Sequence, residues 1–270
     1  MKRIFIACVN YNSYGELAEY LKSIEIAYNQ VQRTELDLIV SIADNSKVKE
    51  NICLDGISYK VNIVPLDNAG YFGGASFIIN NRRDIPEFDY VIISNVDLKL
   101  DINFFNNLPD ELESSVAWIS PSILSSYEKR DKGRGLAERP TKRKLKQLKF
   151  MYRHPWLHFL IEHTYYRRKT LANQSDLTIS EIYSGHGSLI ILTKAFFSVY
   201  RKINYPVFLY GEELFLGELI RQKGLKVLYN PNIIIYDSEH VSTSLLPSSF
   251  SSKYQYESIS YIMDTFYKNE

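Results

Sequence analysis

One run of six residues, 89–94 (DYVIIS), constrains the fold of this chain more than any other stretch. It is almost continuous in β-branched and aromatic side chains, a pattern typical of a strand buried on both faces. We therefore expect it to be a central strand of a sheet. The triplet Asn95-Val96-Asp97 follows at its carboxyl end, where open α/β sheets bind their ligands. Asn and Asp also end strands in ordinary turns, so the triplet alone leaves both interpretations open.

Other strand patterns precede this run and alternate with helical ones. The strands are 3–9, 36–43 and 59–64, and the helices follow the loops 10–13 and 67–74, reaching Tyr28 and about Arg82. This alternation predicts parallel β-α-β units and a doubly wound, mostly parallel sheet of the α/β class. Three polar loops, 10–12, 44–46 and 95–97, would then meet at one edge of the sheet, where a nucleotide would fit.

The second half of the chain continues the sheet and adds a pair of acids. Residues 182–192 (IYSGHGSLIIL) read as one strand, whose small residues let another backbone or a ligand approach closely. Glu212 and Glu213 open a helix that ends near Lys223, with Gly224 as its stop. Adjacent helical residues point about 100° apart, so we expect only one of these acids to face a given reacting group.

The remaining patterns close the chain. Two further strands, 226–229 and 233–237, precede a Ser-rich loop at 242–252 and an amphipathic, Tyr-rich C-terminal helix.

A basic segment separates the two halves. Residues 125–171 hold fourteen lysines and arginines against four acidic residues, interleaved with apolar and aromatic side chains at helical spacing. Such a pattern is typical of a helix lying on anionic lipid, and equally of a solvated helical insertion. No recognition motif accompanies it, and the formal net charge of the whole chain is only +1. We therefore expect no nucleic-acid binding.

Length and composition place the chain among globular proteins. Its 270 residues, 45% of them hydrophobic, suffice for one large α/β domain or two fused subdomains. No apolar run reaches the length of a membrane span, and Met1-Lys2-Arg3 leads into a strand rather than a signal-peptide core. The two cysteines, Cys8 and Cys53, are too few for a disulfide scaffold. We expect a cytoplasmic protein, soluble or peripheral on the cytoplasmic face of the membrane.

The order of motifs along the chain resembles a known family. RIFIACVNYN, ADNS, NAGYFGG, ISNVDL, SGHGSLIIL, FLYGEELFL and YNPNIIIYDSEHVSTS look like the motifs of inverting family 2 glycosyltransferases of the GT-A fold. The bacterial rhamnosyl- and galactofuranosyltransferase branch is the most similar. The resemblance covers nearly the whole chain except the basic segment.

This resemblance implies an architecture and an activity. Residues 1–120 would form a Rossmann-like nucleotide-sugar-binding half, 121–175 a basic, aromatic helical insertion, and 176–270 an acceptor-binding and catalytic half. The enzyme would transfer a sugar from a UDP- or dTDP-linked donor, with inversion, to a hydroxyl of a glycan or lipid-linked glycan acceptor. Bacterial surface polysaccharide assembly would be the setting, and residues 126–170 would meet an anionic membrane surface.

The resemblance also implies nucleotide-binding residues. The base and ribose would contact Asn10, Tyr11 and Asp44. The glycine-rich loop beside the nucleotide and sugar would use Asn68, Gly70, Gly73 and Gly74, because glycines permit close approach of the backbone.

Metal-binding and catalytic residues follow from the same resemblance. Asn95-Val96-Asp97 corresponds to the DxD motif of the family, with Asn95 in place of the first Asp, so Asp97 would bind Mg²⁺ or Mn²⁺ bridging the two phosphates of the donor. Either Asp237 or His240 would complete the metal shell. Glu213 would act as the base, while Glu212 would lie beside the nucleotide or acceptor or cap its own helix.

Two other functions would use a similar sheet. A non-catalytic nucleotide-sugar-binding or membrane-docking protein would keep the fold without the chemistry, although Asp97 and Glu213 count against it. A sugar nucleotidyltransferase would carry a basic, Gly-rich phosphate loop after the first strand, where this chain has Asn10-Tyr11-Asn12 instead.

Overall fold

The computed structural model describes residues 1–31, 35–125, 131–154, 178–237, 248–268 and 270. In these ranges nine strands form one sheet, with helices against its faces. The strands are β1 Lys2–Asn10, β2 Leu36–Asp44, β3 Lys60–Pro65, β4 Tyr90–Asn95, β5 Leu98–Leu100, β6 Val116–Ser125, β7 Ser180–Ile182, β8 Leu189–Thr193 and β9 Lys226–Asp237. The helices are α1 Tyr14–Tyr28, α2 Tyr71–Asn80, α3 Lys142–Arg153, α4 Lys194–Val199, α5 Glu212–Gln222 and α6 Ser248–Phe266, with a 3₁₀ turn at Ile85–Glu87.

The sheet changes direction at β4. Its order is β3-β2-β1-β4-β8-β6-β9-β5, with β7 beside β9. The pairings among β3, β2, β1 and β4 are parallel, as the β-α-β pattern predicts. Beyond β4 the sheet is mixed: β8 runs antiparallel to β4 and β6, β5 and β7 run antiparallel to β9, and only β6 and β9 are parallel.

The predicted central strand is central and buried. β4 pairs with β1 on one side and β8 on the other, and its residues from Tyr90 to Ser94 are buried. Apolar layers cover both faces of the sheet, because alternate residues of each strand point to opposite sides. In β1, for example, Phe5 and Ala7 join one core cluster while Ile4 and Ile6 join the other.

Two strand predictions were wrong in detail. Residues 182–192 form two strands: β7 pairs with β9 and β8 pairs with β4, with a loop over 183–188 between them. The small residues of that loop do permit the close approach that was expected, since a Cβ on Gly185 would lie 2.2 Å from Ser120 Oγ. Conversely, 226–229 and 233–237 belong to one strand, β9, whose register against β6 shifts between Asn230 and Ile234.

The helix predicted within the basic segment is confirmed as α3. Leu145 is fully buried, and Leu148 and Tyr152 pack against the same core, where α3 lies on α6. Four of its basic residues, Arg143, Lys144, Lys146 and Arg153, are exposed, and Phe150 is 60% exposed. The rest of the basic, aromatic pattern, 126–130 and 155–177, lies outside the described residues, as does most of the predicted Ser-rich loop. Across the described ranges, no helix is both long and apolar enough to cross a bilayer.

Candidate active site

The carboxyl ends of β1 and β2 form a hydrogen-bonded platform. Asn10 Nδ2 donates to Asp44 Oδ1 at 3.2 Å, and the Tyr14 hydroxyl donates to Asp44 Oδ2 at 2.9 Å. Burial raises the pKa of Asp44, but hydrogen bonds from Ser46 and Tyr14 outweigh it and lower the pKa overall. Asp44 is therefore held ionised among protein donors. Tyr11, the residue after Asn10, has a side chain that is 42% exposed.

The glycine-rich loop packs closely against the protein at two of its three glycines. Gly70 has a φ of +76°, and a Cβ there would lie 1.9 Å from the carbonyl oxygen of Phe208. Its N–H donates to Asn68 Oδ1 at 3.0 Å. A Cβ on Gly74 would lie 3.1 Å from Asn45 Nδ2, whereas one on Gly73 would meet nothing closer than 3.4 Å. Gly73 is the glycine of this loop with room for another group beside it.

The triplet after β4 lies at the same edge of the sheet. The Asn95 N–H donates to the Ser188 carbonyl at 3.0 Å, which holds the end of β4 against the loop before β8. Asp97 lines a cavity of about 280 Å³ together with Gly15, Glu16 and Lys99. The side chain of Asp97 is therefore accessible at the surface of the crevice.

Asp237 lies next to this triplet because β5 pairs with β9. Leu98 is the direct partner of Asp237, and Asp97 is the residue before Leu98. Two carboxylates suit a hard cation that takes its other ligands from water and phosphate. The described part of the chain brings no third His, Cys, Asp or Glu to them as a metal-binding group. His240, the alternative ligand, lies outside the described residues.

Glu212 and Glu213 converge, contrary to the expectation that they diverge. A Cβ on Gly187 would lie 2.8 Å from Oε1 of each glutamate, so both carboxylates reach the same point on the loop before β8. The Gly187 N–H donates to Glu213 Oε1 at 3.2 Å. Each glutamate side chain has three rotatable bonds, so both carboxylates can reach Gly187 although their Cα–Cβ bonds point in different directions. Burial, and then the charge of Glu213, raise the pKa of Glu212 well above its usual range.

An unusual turn aims this acid pair. Tyr210 and Gly211, the two residues before α5, have φ values of +67° and +81°. The Tyr210 carbonyl accepts a hydrogen bond from the Tyr205 hydroxyl at 2.7 Å, and a Cβ on Gly211 would lie 1.8 Å from Ser258 Oγ of α6. Left-handed backbone at a tyrosine is uncommon and persists only where surrounding contacts impose it. Sequence reasoning missed this turn, although the Tyr-Gly pair before the helix was a local signal of it.

Tyr71 is a second residue that the sequence did not single out. Its hydroxyl donates to the carbonyls of Gly187 and Ser188, at 2.8 and 3.2 Å. Burial and the negative charge of Glu212 raise its pKa well above the usual range, so it remains a neutral donor. Tyr71 begins α2, which also contains Gly73 and Gly74, and it connects this glycine-rich stretch to the loop that receives the acids.

An ion cluster around the buried Glu218 holds α5 in place. Glu218, fully buried on α5, accepts from Arg139 Nε at 2.6 Å, from Arg221 at 3.0 Å and from the Tyr183 hydroxyl at 2.9 Å. Burial opposes ionisation of Glu218, but these donors lower its pKa overall. The cluster joins α5 to the segment that leads into α3. Its contacts with Arg139 and Tyr183 could not be predicted from the sequence, because these residues are far from Glu218 along the chain.

Comparisons with known proteins concern the fold. No protein-family model matches the sequence, and no curated protein matches it either. Among solved structures, the chain is similar to GalNAc-T7, whose crystal structure contains UDP, GalNAc and Mn²⁺: the TM-score is 0.63 at 12% identity, over 98% of this chain and 48% of that one. The catalytic domain of Drosophila β1,4-galactosyltransferase 7, in complex with xylobiose, aligns with a TM-score of 0.44 at 12% identity, over 90% of this chain and 67% of that one.

The likeness to GalNAc-T7 concerns the architecture. The chain spans about half the length of GalNAc-T7, so the similarity concerns one part of that protein. At 12% identity a structural likeness shows the fold and leaves the activity to be argued from the site. The chain has the GT-A glycosyltransferase fold.

Proposed function

We propose that this protein is a metal-dependent, inverting glycosyltransferase that moves a sugar from a UDP- or dTDP-linked donor to an acceptor hydroxyl. The observation that carries the proposal is the arrangement of acids at one edge of the sheet. Asp97 directly precedes Leu98, the β5 residue that pairs with Asp237, and Glu212 and Glu213 converge on Gly187 in the loop that is bonded to the end of β4.

The acid pair suits proton removal from an acceptor. Glu213 takes the proton of the acceptor hydroxyl as its oxygen attacks the anomeric carbon, and the bond from that carbon to the phosphate oxygen breaks. A single displacement from the opposite face inverts the anomeric centre. Glu212 keeps its proton to higher pH than an exposed glutamate, because burial and Glu213 raise its pKa. The raised pKa of Glu212 suits it to a protonated role, and we assign the base to Glu213.

A divalent cation fits the remaining acids. Asp97 and Asp237 would hold Mg²⁺ or Mn²⁺, with His240 as an alternative ligand, and Asn95 would lie beside it. Such a cation supplies positive charge to the departing diphosphate. One solved structure of similar fold contains both UDP and Mn²⁺.

The nucleotide would lie across the ends of β1 and β2. Because Asn10 and Asp44 are buried and bonded to each other, we assign them to shaping the base site, and Tyr11 to direct contact with the nucleotide. The loop that contains Asn68, Gly70, Gly73 and Gly74 would border the sugar and diphosphate. Gly73 offers the closest approach, because its neighbours leave space there.

The biological setting is part of the proposal. We place the protein in the cytoplasm, in family 2 and near its rhamnosyltransferase branch, acting on a glycan or lipid-linked glycan of a bacterial surface polysaccharide. The two halves, 1–120 and 176–270, would bind donor and acceptor, with 121–175 as an insertion. The exposed basic residues of α3 and half-exposed Phe150 favour docking on an anionic membrane. Flotation with vesicles that contain acidic lipid should exceed flotation with neutral vesicles, and equal values would contradict this docking.

A screen of nucleotide sugars tests the activity. UDP-, dTDP- and GDP-sugars are incubated with the protein and Mg²⁺ or Mn²⁺, and the released nucleotide is measured. Release from a UDP- or dTDP-sugar is expected, because water can replace the acceptor slowly in such a site. If none releases nucleotide and none binds, the non-catalytic alternative on the same fold is favoured instead.

A further inference from the structure

An ion pair between Lys132 and Asp237 lies at the end of β9, opposite the strand that follows Asp97. Lys132 Nζ is 3.2 Å from Asp237 Oδ2, and the two side chains are only 15% and 12% exposed. Charges that are this well shielded are screened less by salt than surface pairs are. The pair therefore fixes an ammonium group beside Asp237, where it offsets the charge of that carboxylate.

The backbone around Lys132 is held rigidly on β6. The carboxylate of Asp131 accepts from the N–H groups of Ile123 and Gly133, at 2.9 and 2.7 Å. The Lys132 N–H donates to the Ile123 carbonyl at 2.9 Å. A Cβ on Gly133 would lie 1.7 Å from the Pro121 carbonyl oxygen, so the backbone is pressed against β6. The Lys132 side chain therefore extends from a fixed backbone position, and such preorganisation lowers the cost of binding.

We infer that Lys132 is a diphosphate-binding residue, and that its ammonium group supports nucleotide binding even without a divalent cation. This inference rests on the proposed function. A nucleoside diphosphate approaching Asp97 and Asp237 would meet two carboxylates of its own sign. The ammonium of Lys132 neutralises Asp237, and lysine is a common point charge for phosphate. Lys132 and the cation therefore share the task of balancing the diphosphate.

Binding of UDP and of dTDP to the full chain, measured by calorimetry in EDTA and again in Mn²⁺, tests the inference. The wild type should bind in EDTA and more tightly in Mn²⁺. Lys132→Met should bind about tenfold to a hundredfold more weakly in EDTA, the range for a lost hydrogen bond to a charged group. Lys132→Arg, which keeps the charge, should recover most of that loss.

Lys226→Met is the matched control. Lys226 begins β9, the strand that ends at Asp237, and its Nζ is 3.1 Å from Glu113 at the opposite end of the sheet. Its loss removes an equivalent lysine ion pair and should leave nucleotide binding unchanged. If Lys132→Met does not fold, Lys132→Gln, whose neutral amide can still donate a hydrogen bond to Asp237, takes its place with the same weakening expected in EDTA.

The outcomes separate the two proposals. Equal binding of Lys132→Met and wild type in EDTA overturns the role of Lys132 and leaves the proposed function standing. A wild type that binds nucleotide only in Mn²⁺ also overturns it. A wild type that binds no nucleoside diphosphate in either condition overturns the proposed function and this inference together.

Discussion

Glu212 and Glu213 share one site because of three residues outside their own helix. Tyr210 and Gly211 set the direction in which α5 begins, and Gly187 receives both carboxylates. Repulsion between two carboxylates this close disfavours ionisation of both at once, so we expect them to have different roles. Burial and the charge of Glu213 raise the pKa of Glu212, and the N–H of Gly187 donates to Glu213 Oε1.

Glutamine substitutions at the two positions test this division. Glu213→Gln should keep the fold and donor affinity but lose about 10² to 10⁴ in transfer rate, the usual contribution of a general base. Glu212→Gln should lose less, because an amide resembles the protonated carboxyl in shape and charge. Single-turnover transfer, with donor affinity and thermal unfolding as controls, gives the comparison. Rate losses in the reverse order, with both proteins folded and donor-bound, would assign the base to Glu212.

At the scale of elements, the glycine-rich loop and the start of α2 owe their shape to protein contacts. Asn45 Nδ2 donates to the Gly70 carbonyl at 2.9 Å, while Phe208 covers the other side of Gly70. The left-handed backbone of Gly70 is what lets α2 begin directly after β3 and its loop. Tyr71, its neighbour, then reaches the loop before β8.

The glycines of this loop should differ sharply in their tolerance of a methyl group. Gly70→Ala combines a left-handed φ with a clash against backbone, and should destabilise the protein by about 1 to 3 kcal/mol and lower nucleotide affinity. Gly73→Ala, its matched control three residues later, should stay within about 1 kcal/mol of wild type. Thermal or denaturant unfolding checks both. Equal stability of the two variants would contradict the packing described for Gly70.

At the scale of the whole molecule, the change of strand direction at β4 builds the site. Because β8 runs antiparallel to β4, its first residue, Leu189, pairs with Ser94 near the end of β4. The loop before β8 therefore lies at the same edge as Asp97, and α5 brings its acids to that loop. A fully parallel sheet would have put the start of β8 at the opposite edge.

The sequence predicted those parts of the fold that local patterns determine. β1, β2 and β4 are buried on both faces and read as apolar runs, and Gly224, with a φ of +66°, ends α5 as expected. The antiparallel placement of β8 was not predictable, because strand pairing depends on partners distant in the chain. The Lys132–Asp237 pair was missed for the same reason, since 105 residues separate its members.

The sequence predicted which strand ends form the site, but not how the side chains of the site are arranged. The loops after β1, β2 and β4 were expected at one edge, and strand pairing puts them there: Asn10 is the partner of Asp44, and Val9 is the partner of Asn95. Spacing along the sequence could not reveal the convergence on Gly187, because side-chain rotamers and the turn at Gly211 decide it.

Nucleotide release from UDP- and dTDP-sugars, compared between the wild type and Asp97→Ala, tests the central claim most directly. Asp97 follows β4 at the edge of the crevice and is not part of either core cluster, so its removal should leave the fold intact. We predict that the wild type releases nucleotide in Mn²⁺ or Mg²⁺ and that folded Asp97→Ala loses both this release and the metal-dependent part of nucleotide binding. Release by folded Asp97→Ala at the wild-type rate would contradict the account.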